Sequence, residues 1–346
     1  MTQRHQRLTT TNVACGVGAV ILALICGVSF GPAGLRWPGV VSNLLAHVHV
    51  PGIRSTLTAR QNTILWQIRI PRVVLAGLVG SVLSLAGGAY QGVFRNSLAD
   101  PYLLGIAAGA GLGATTVIVY GEHWGSTSTL VPLAAFGGAL VAVVIAYSVA
   151  SLADARRLNS GTLLLSGIAT ASFLTAIQTF VQQTRADTLR RVYGWILGRL
   201  NSVGWHDVLV ILPYCMVAIV VILLHGRLLD VLAVGDDHAE HLGVNAARVR
   251  LIVVAAASLG TAAAVAVSGL IGFVGLVVPH IIRLLVGSSY RVLLPLCLFG
   301  GAAFLILSDL AARTAVSPGE LPIGVVTAFV GAPFFAFILR TTRRTS

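Results

Sequence analysis

The chain has 346 residues, of which 56% are hydrophobic and 10% charged, and its mean hydropathy is +0.89. A soluble domain usually carries about 25% charged residues, so this chain has too little polar side chain to cover a water-facing surface. All 23 basic residues are arginine, and the net charge is +12. Without lysine the chain cannot build a Walker-type phosphate loop, and arginines dispersed between apolar runs give no basic stripe for nucleic acid.

A membrane-crossing helix needs about 20 apolar residues. Ten stretches qualify, and they predict an all-α polytopic membrane protein forming a single transmembrane domain over residues 1–346. The first, 12–33, follows MTQRHQR and reads as an uncleaved helix, because further spans come after it. Residues 34–68 are expected outside as a small cap or contact surface. Spans at 70–92 and 102–120 follow. Gly105, Gly109 and Gly113 recur every fourth residue on one helix face, which predicts close backbone packing more readily than a conduit lining.

The next spans lie at 129–150 and 161–182. The second of these contains Ser166, Thr170, Ser172, Thr175, Gln178 and Thr179. This mildly polar face suits either the wall of a translocation path or a polar packing seam. After a span at 207–226 comes LLDVLAVGDDHAEHLGVNAARVR, residues 228–250. It reads as one or two short helices broken at Gly235 and Gly243, with Asp236, Asp237 and Glu240 on a charged edge. The last four spans are placed at 251–268, 273–287, 292–310 and 323–340. The span at 273–287 is short and interrupted by Pro279 and His280.

An even number of spans puts both termini on one side. The arginines of the terminal RTTRRTS and the Arg156–Arg157 pair favour the cytoplasm for that side, whereas Arg185, Arg190, Arg191 and Arg199 oppose it. Cys15, Cys26, Cys215 and Cys297 lie in or beside apolar stretches without a CxxC or metal-like spacing. No HExxH, GxSxG, paired-carboxylate or zinc pattern occurs, so no catalytic or metal residue is assigned. Asp309 and Arg313 stand four apart on one helix face. The expected spans hold almost no acid at mid-depth, which disfavours a proton-driven carrier working alone.

Several ordered blocks carry more specific information: WQIRIPR at 66–72, YQGVFRNSLADPYLLGIAAGAGLGA at 90–114, LLLSGIAT, YGWILGRL, SGLIGFVGLVVPHIIRLLVGSSYRVLLP at 268–295, DLAAR and ELPIGVVTAFVGAPFF. Together they resemble the permeases of the iron-siderophore and vitamin B12 ATP-binding-cassette importers, the FecCD family. The resemblance implies a vitamin B12 importer permease-like fold with about ten transmembrane helices in a bacterial inner membrane. It also implies a second permease subunit, identical or related, two separate ATP-binding subunits that use ATP and Mg, and an extracytoplasmic substrate-binding protein or lipoprotein. The chain itself is expected to bind no cofactor and to catalyse nothing.

By the same resemblance, Arg69, Arg72 and Arg313 meet acidic residues of the binding protein. Asp236, Asp237, Glu240, Leu242 and Gly243 belong to the cytoplasmic segment that couples to an ATPase. A ferric siderophore is the first expected cargo, with vitamin B12 or haem as alternatives. Two positions depart from the family pattern. Ser97 replaces a usual proline, and Glu240 with His241 replaces a more basic or polar arrangement.

Overall fold

A computed structural model describes residues 8–31, 37–47, 55–121, 127–153, 160–200, 204–316 and 319–342, and the regular elements among them are all helical. The chain order is α1 (Thr10–Ser29), α2 (Trp37–His47), α3 (Ala59–Ile64), a π-helical turn (Leu65–Arg69), α4 (Ile70–Phe94), α5 (Ile106–Tyr120), α6 (Thr127–Ala153), α7 (Ser160–Thr184) and α8 (Leu189–Ile196). It continues with α9 (His206–Leu224), α10 (Gly226–Val234), α11 (Asp236–His241), α12 (Ala246–Ser268), α13 (Val274–Val286), α14 (Tyr290–Thr314) and α15 (Ile323–Thr342).

Local chemistry sets many of these boundaries. Thr58 and Gln61 form a reciprocal capping box at α3. Asn245 caps α12 by accepting from the Arg248 N–H at 2.9 Å. Arg95 closes α4 in a left-handed conformation with φ of 50°.

Among the described residues, seven helices are long and apolar enough to cross a bilayer: α1, the run Ala59–Phe94, α6, α7, α9, α12 and α14. The chain is therefore a multi-pass membrane protein with seven clear spans. The ten expected spans each fall on a helix, but three of those helices are short. α5 has 15 residues, α13 has 13, and the apolar part of α15 covers Ile323–Ile338.

For α5 the reason is visible in its entry. Gly105, with φ of 79°, packs against Ala142 of α6 and Ala171 of α7. Both positions lie about 16 Å inside their helix ends at 1.5 Å per residue. Residues 101–105 thus enter the bundle as irregular chain, shielded by protein, and helix begins only at that depth. Tyr102 ties this entry to the loop before α13, because its hydroxyl donates to the Ile271 carbonyl and accepts from the Ile271 N–H, at 3.0 and 3.2 Å.

α4 is the central helix, packed against α14, α12, α13 and α9. Its glycines allow backbone to meet backbone. A Cβ on Gly80 would lie 2.2 Å from the Gly301 oxygen of α14, and one on Gly87 would lie 2.0 Å from the Gly275 oxygen of α13. The expected packing face of α5 has the same character. A Cβ on Gly109 or Gly113 would run into the Gly138 or Ala134 oxygen of α6. Tyr90 on α4 and Ser258 on α12 satisfy each other by a buried 2.7 Å hydrogen bond.

Candidate functional site

Three places gather the residues singled out by the sequence. The first is the end of the bundle where α1 finishes and α4 starts. Arg69 and Arg313 are each 4% exposed, and Asp309 is 1% exposed. Arg69 Nη1 donates to the Val28 carbonyl at 3.0 Å, and Arg313 Nη2 donates to the Gly27 carbonyl at 3.1 Å. Both guanidiniums therefore occupy the carbonyls at the end of α1, where cations are also favoured by the helix dipole.

Asp309 accepts from Arg72 Nε and Nη2 at 3.0 and 2.9 Å, and pairs with Arg313 Nε at 2.9 Å. The i,i+4 pair expected on α14 is thus present and has recruited Arg72 from α4. Arg72 makes a second ion pair, 3.0 Å, to Glu320. A cleft opens here, lined by Arg72, Arg199, Leu200, Glu320, Leu321, Pro322 and Ile323. Of the three expected docking arginines, Arg72 alone lines it.

The opposite end carries the segment after α9. It breaks at Gly235 and Gly243, whose φ values are 130° and 76°, as the sequence suggested. Asp236 is not free. It pairs with Arg95 at the end of α4, at 3.3 Å, and with Arg250 of α12, at 3.0 Å. Asp237, Glu240, Leu242 and Gly243 are exposed, and the Leu242 side chain is 69% exposed beside an equally open Val234.

Asp230 of α10, which drew no notice in the sequence, accepts from the Tyr290 N–H at 2.6 Å and from the Ser289 hydroxyl at 2.9 Å. It caps α14 from another element. With only 11 acidic residues in the chain, an acid at a span end was itself a sign of a required partner. Glu320 and Asp230 both carry that sign.

The third place is α7. Its polar residues divide between two faces. Ser166, Thr170 and Gln178 are buried, with Gln178 Nε2 donating to Thr115 Oγ1 of α5 at 3.2 Å. Ser172, Thr175 and Thr179 are exposed on the other face, flanked by exposed Phe173 and Phe180. The packing-seam reading thus describes the first three, and the outward stripe consists of the last three. His280 packs edge-on against Phe334 with ring centroids 5.9 Å apart. Among the described residues no group of three or more His, Cys, Asp or Glu could hold a metal ion.

The FecCD transport family model matches residues 19–341, nearly the whole chain. The chain belongs to the FecCD transport family. It is 39% identical over 336 residues to the cobalamin import system permease protein BtuC of Halobacterium salinarum, covering 95% of this chain and 86% of that one. It is 38% identical over 308 residues to the hemin transport system permease protein HmuU of Yersinia pestis, covering 84% and 88% respectively. A solved structure titled as an inward-facing conformation of a putative metal-chelate type ABC transporter superposes with a TM-score of 0.81. At 24% identity it covers 96% of this chain and all of that one, and it supports the fold alone. The FecCD chain described here is accordingly a non-catalytic permease subunit.

Proposed function

We propose that this FecCD permease belongs to an ATP-binding-cassette importer for a metal–tetrapyrrole cargo, cobalamin first and haem second, with ferric siderophores a less favoured class. The observation that carries this reading is near full-length likeness to permeases named for cobalamin and hemin. It reverses the order expected from the sequence blocks, where the siderophore came first. In the same reading the chain pairs with a second permease, two ATP-binding subunits and an extracytoplasmic binding protein. ATP and Mg stay on the partner ATPase.

The segment around α11 is the surface offered to the ATPase. Val234 and Leu242 are its exposed apolar contacts, Asp237 and Glu240 its exposed charges, and Asp236 and Gly243 set its geometry. Motion imposed there has two routes into the bundle. Asp236 grips the end of α4 and the start of α12, while Asp230 grips the start of α14. The glycine seam between α4 and α14 then makes the pair move together, so a push at one end reaches the arginine cluster at the other.

At that far end Arg69 and Arg313 fix the end of α1, and Arg72 stands at the docking cleft for the binding protein. Ser172, Thr175 and Thr179 face the second subunit as the wall of the path. They offer hydroxyls without a fixed charge, which suits passage more than retention. The end bearing α11 is assigned to the cytoplasm, with both termini. Arg69, Arg72 and Arg313 lie within the bundle instead of in connecting loops, so they carry little weight against this orientation. Counting α5, α13 and α15 with their irregular entries gives ten crossings.

The test is uptake into proteoliposomes holding the assembled importer and its binding protein, with labelled cobalamin, hemin and a panel of ferric siderophores offered separately. ATP-dependent accumulation of cobalamin or hemin is the expected result. Accumulation of a siderophore alone would refute the cargo, and uptake by the permease without ATPase would refute the class.

A further inference from the structure

Pro279 stands in the middle of α13. A proline has no N–H, so the carbonyl four residues earlier, that of Gly275, lacks the donor that would close its helical turn. The donor comes from another helix. Gln91 of α4 is 1% exposed, and its Nε2 donates to the Gly275 carbonyl at 3.3 Å. Gly87 lies one turn before Gln91 on the same face of α4, and a Cβ there would run into that same carbonyl. Glycine makes the room and glutamine supplies the bond.

The other side of the Gln91 amide is also engaged, because its Oε1 accepts from Arg283 Nη2 at 2.7 Å. A guanidinium only donates and a carbonyl only accepts, so the two partners fix which way the amide points. Both belong to α13, one on each side of Pro279. A single side chain of α4 thus spans the weak point of its neighbour. Beyond the proline, Leu284 and Leu285 are 71% and 74% exposed. Among the described residues His280 Nδ1 and Arg283 Nε are buried without a hydrogen-bond partner. The Arg283 guanidinium lies over the Tyr290 ring, 5.6 Å from its centroid, and Asp230 of α10 holds the Tyr290 N–H.

We propose that Pro279 is a joint in α13 and that Gln91 is the positioning residue that latches it, so that the half of α13 after the proline swings when ATP-driven motion reaches it through Asp230 and Tyr290. The proposal rests on the coupling reading given above and adds to it a moving part. A helix without the proline would keep the Gly275 bond within its own backbone and resist bending, whereas a proline without an outside donor would leave a carbonyl unsatisfied inside the bundle. The Gln91 amide satisfies that carbonyl with a bond that breaks and re-forms while the rest of the backbone ladder stays intact. Glutamate in its place would hold Arg283 but has no donor for the carbonyl.

The test is spin-label distance measurement on the assembled importer in nanodiscs, in a parent chain whose native cysteines have been replaced. One label is placed at Leu285 and the other at Leu152, an exposed reference near the end of α6. Without nucleotide the parent gives a narrow distance distribution, and trapping with ATP and vanadate shifts it by several ångströms. Gln91→Leu broadens the nucleotide-free distribution and lowers cargo transported per ATP severalfold. Gln91→Glu, which keeps the pairing to Arg283, broadens it too. Pro279→Ala returns an N–H to the backbone, so it narrows the distribution of either Gln91 variant to that of the parent and, alone, abolishes the ATP-dependent shift. A merely structural role of Gln91 would not be rescued by that change on another helix.

Gln91 variants as narrow as the parent overturn the latch, and variants that stay broad with Pro279→Ala overturn its action through the Gly275 carbonyl. The coupling reading is judged separately, by moving the first label from Leu285 to the exposed Val234 at the end of α10. An ATP-dependent shift at Val234 with none at Leu285 sinks the joint alone, and no shift at either position sinks the coupling reading with it.

Discussion

Replacing Asp309 by asparagine tests whether the arginine cluster is a sealed ionic core or a solvated one. Asp309 is 1% exposed and serves two cations, with two contacts from Arg72 and one from Arg313. Asparagine keeps the shape and one acceptor oxygen but removes the charge, leaving two guanidiniums with the half-exposed Glu320 as their remaining counter-ion. Breaking a buried pair by removing one partner costs about 3–5 kcal/mol, and charge-assisted hydrogen bonds of about 1.5–3 kcal/mol each lead to a similar figure.

The loss should reach α1, because Arg313 bonds both the Asp309 carboxylate and the Gly27 carbonyl. The assay is the apparent unfolding temperature of the detergent-solubilised permease, read in parallel with accessibility of a cysteine placed near the end of α1. A fall of several degrees that persists at high salt is expected, since screening acts weakly on a buried pair. A loss below about 1 kcal/mol, or one abolished by salt, would place the cluster among ordinary surface pairs and refute the reasoning.

Asp230→Ala removes the acceptor for the first N–H groups of α14 and should cost about 1–2 kcal/mol, as loss of a helix cap does. If the coupling route is right, it also lowers cargo transported per ATP hydrolysed in the assembled importer, whereas unchanged stoichiometry would confine Asp230 to stability. Gly80→Ala puts a methyl where the Gly301 oxygen already stands, so α4 and α14 must separate. The expected cost is about 1–3 kcal/mol, measured by thermal inactivation. Gly137→Ala is the control, as a Cβ there meets nothing within 4 Å, and equal effects of the two substitutions would discredit the seam.

How far the sequence could be read depended on whether a feature was local. Apolar run length located a helix under every expected span, because the burial demand of each run is contained in the run itself. The break points Gly235 and Gly243, the Asp309–Arg313 spacing and the packing face of α5 were legible for the same reason: each is a property of neighbours in the chain. The shortness of α13 was legible too, but that of α5 was not, since α5 loses its first turn to a loop that is sheltered only by elements far away in sequence. Ile271 supports Tyr102 across 169 residues. Hydropathy counts apolar residues but cannot tell a helical one from an irregular one that protein has wrapped.

The site residues divide along the same line. The ordered blocks put candidate residues at both ends of the bundle, but what each arginine touches there depends on its partner, and the partners come from elsewhere. Arg72 and Glu320 are separated by 248 residues, and Arg69 reaches a carbonyl 41 residues back. The pairing redistributes labour among arginines that look equivalent in the sequence. Two clamp α1, one bridges the buried and exposed carboxylates, and Arg199 at the cleft wall has no acid among the described residues. A chain with 23 arginines and 11 acids cannot neutralise every cation internally. At this end of the bundle, where Asp309 is already shared by Arg72 and Arg313, the deficit falls on Arg199 at the cleft wall.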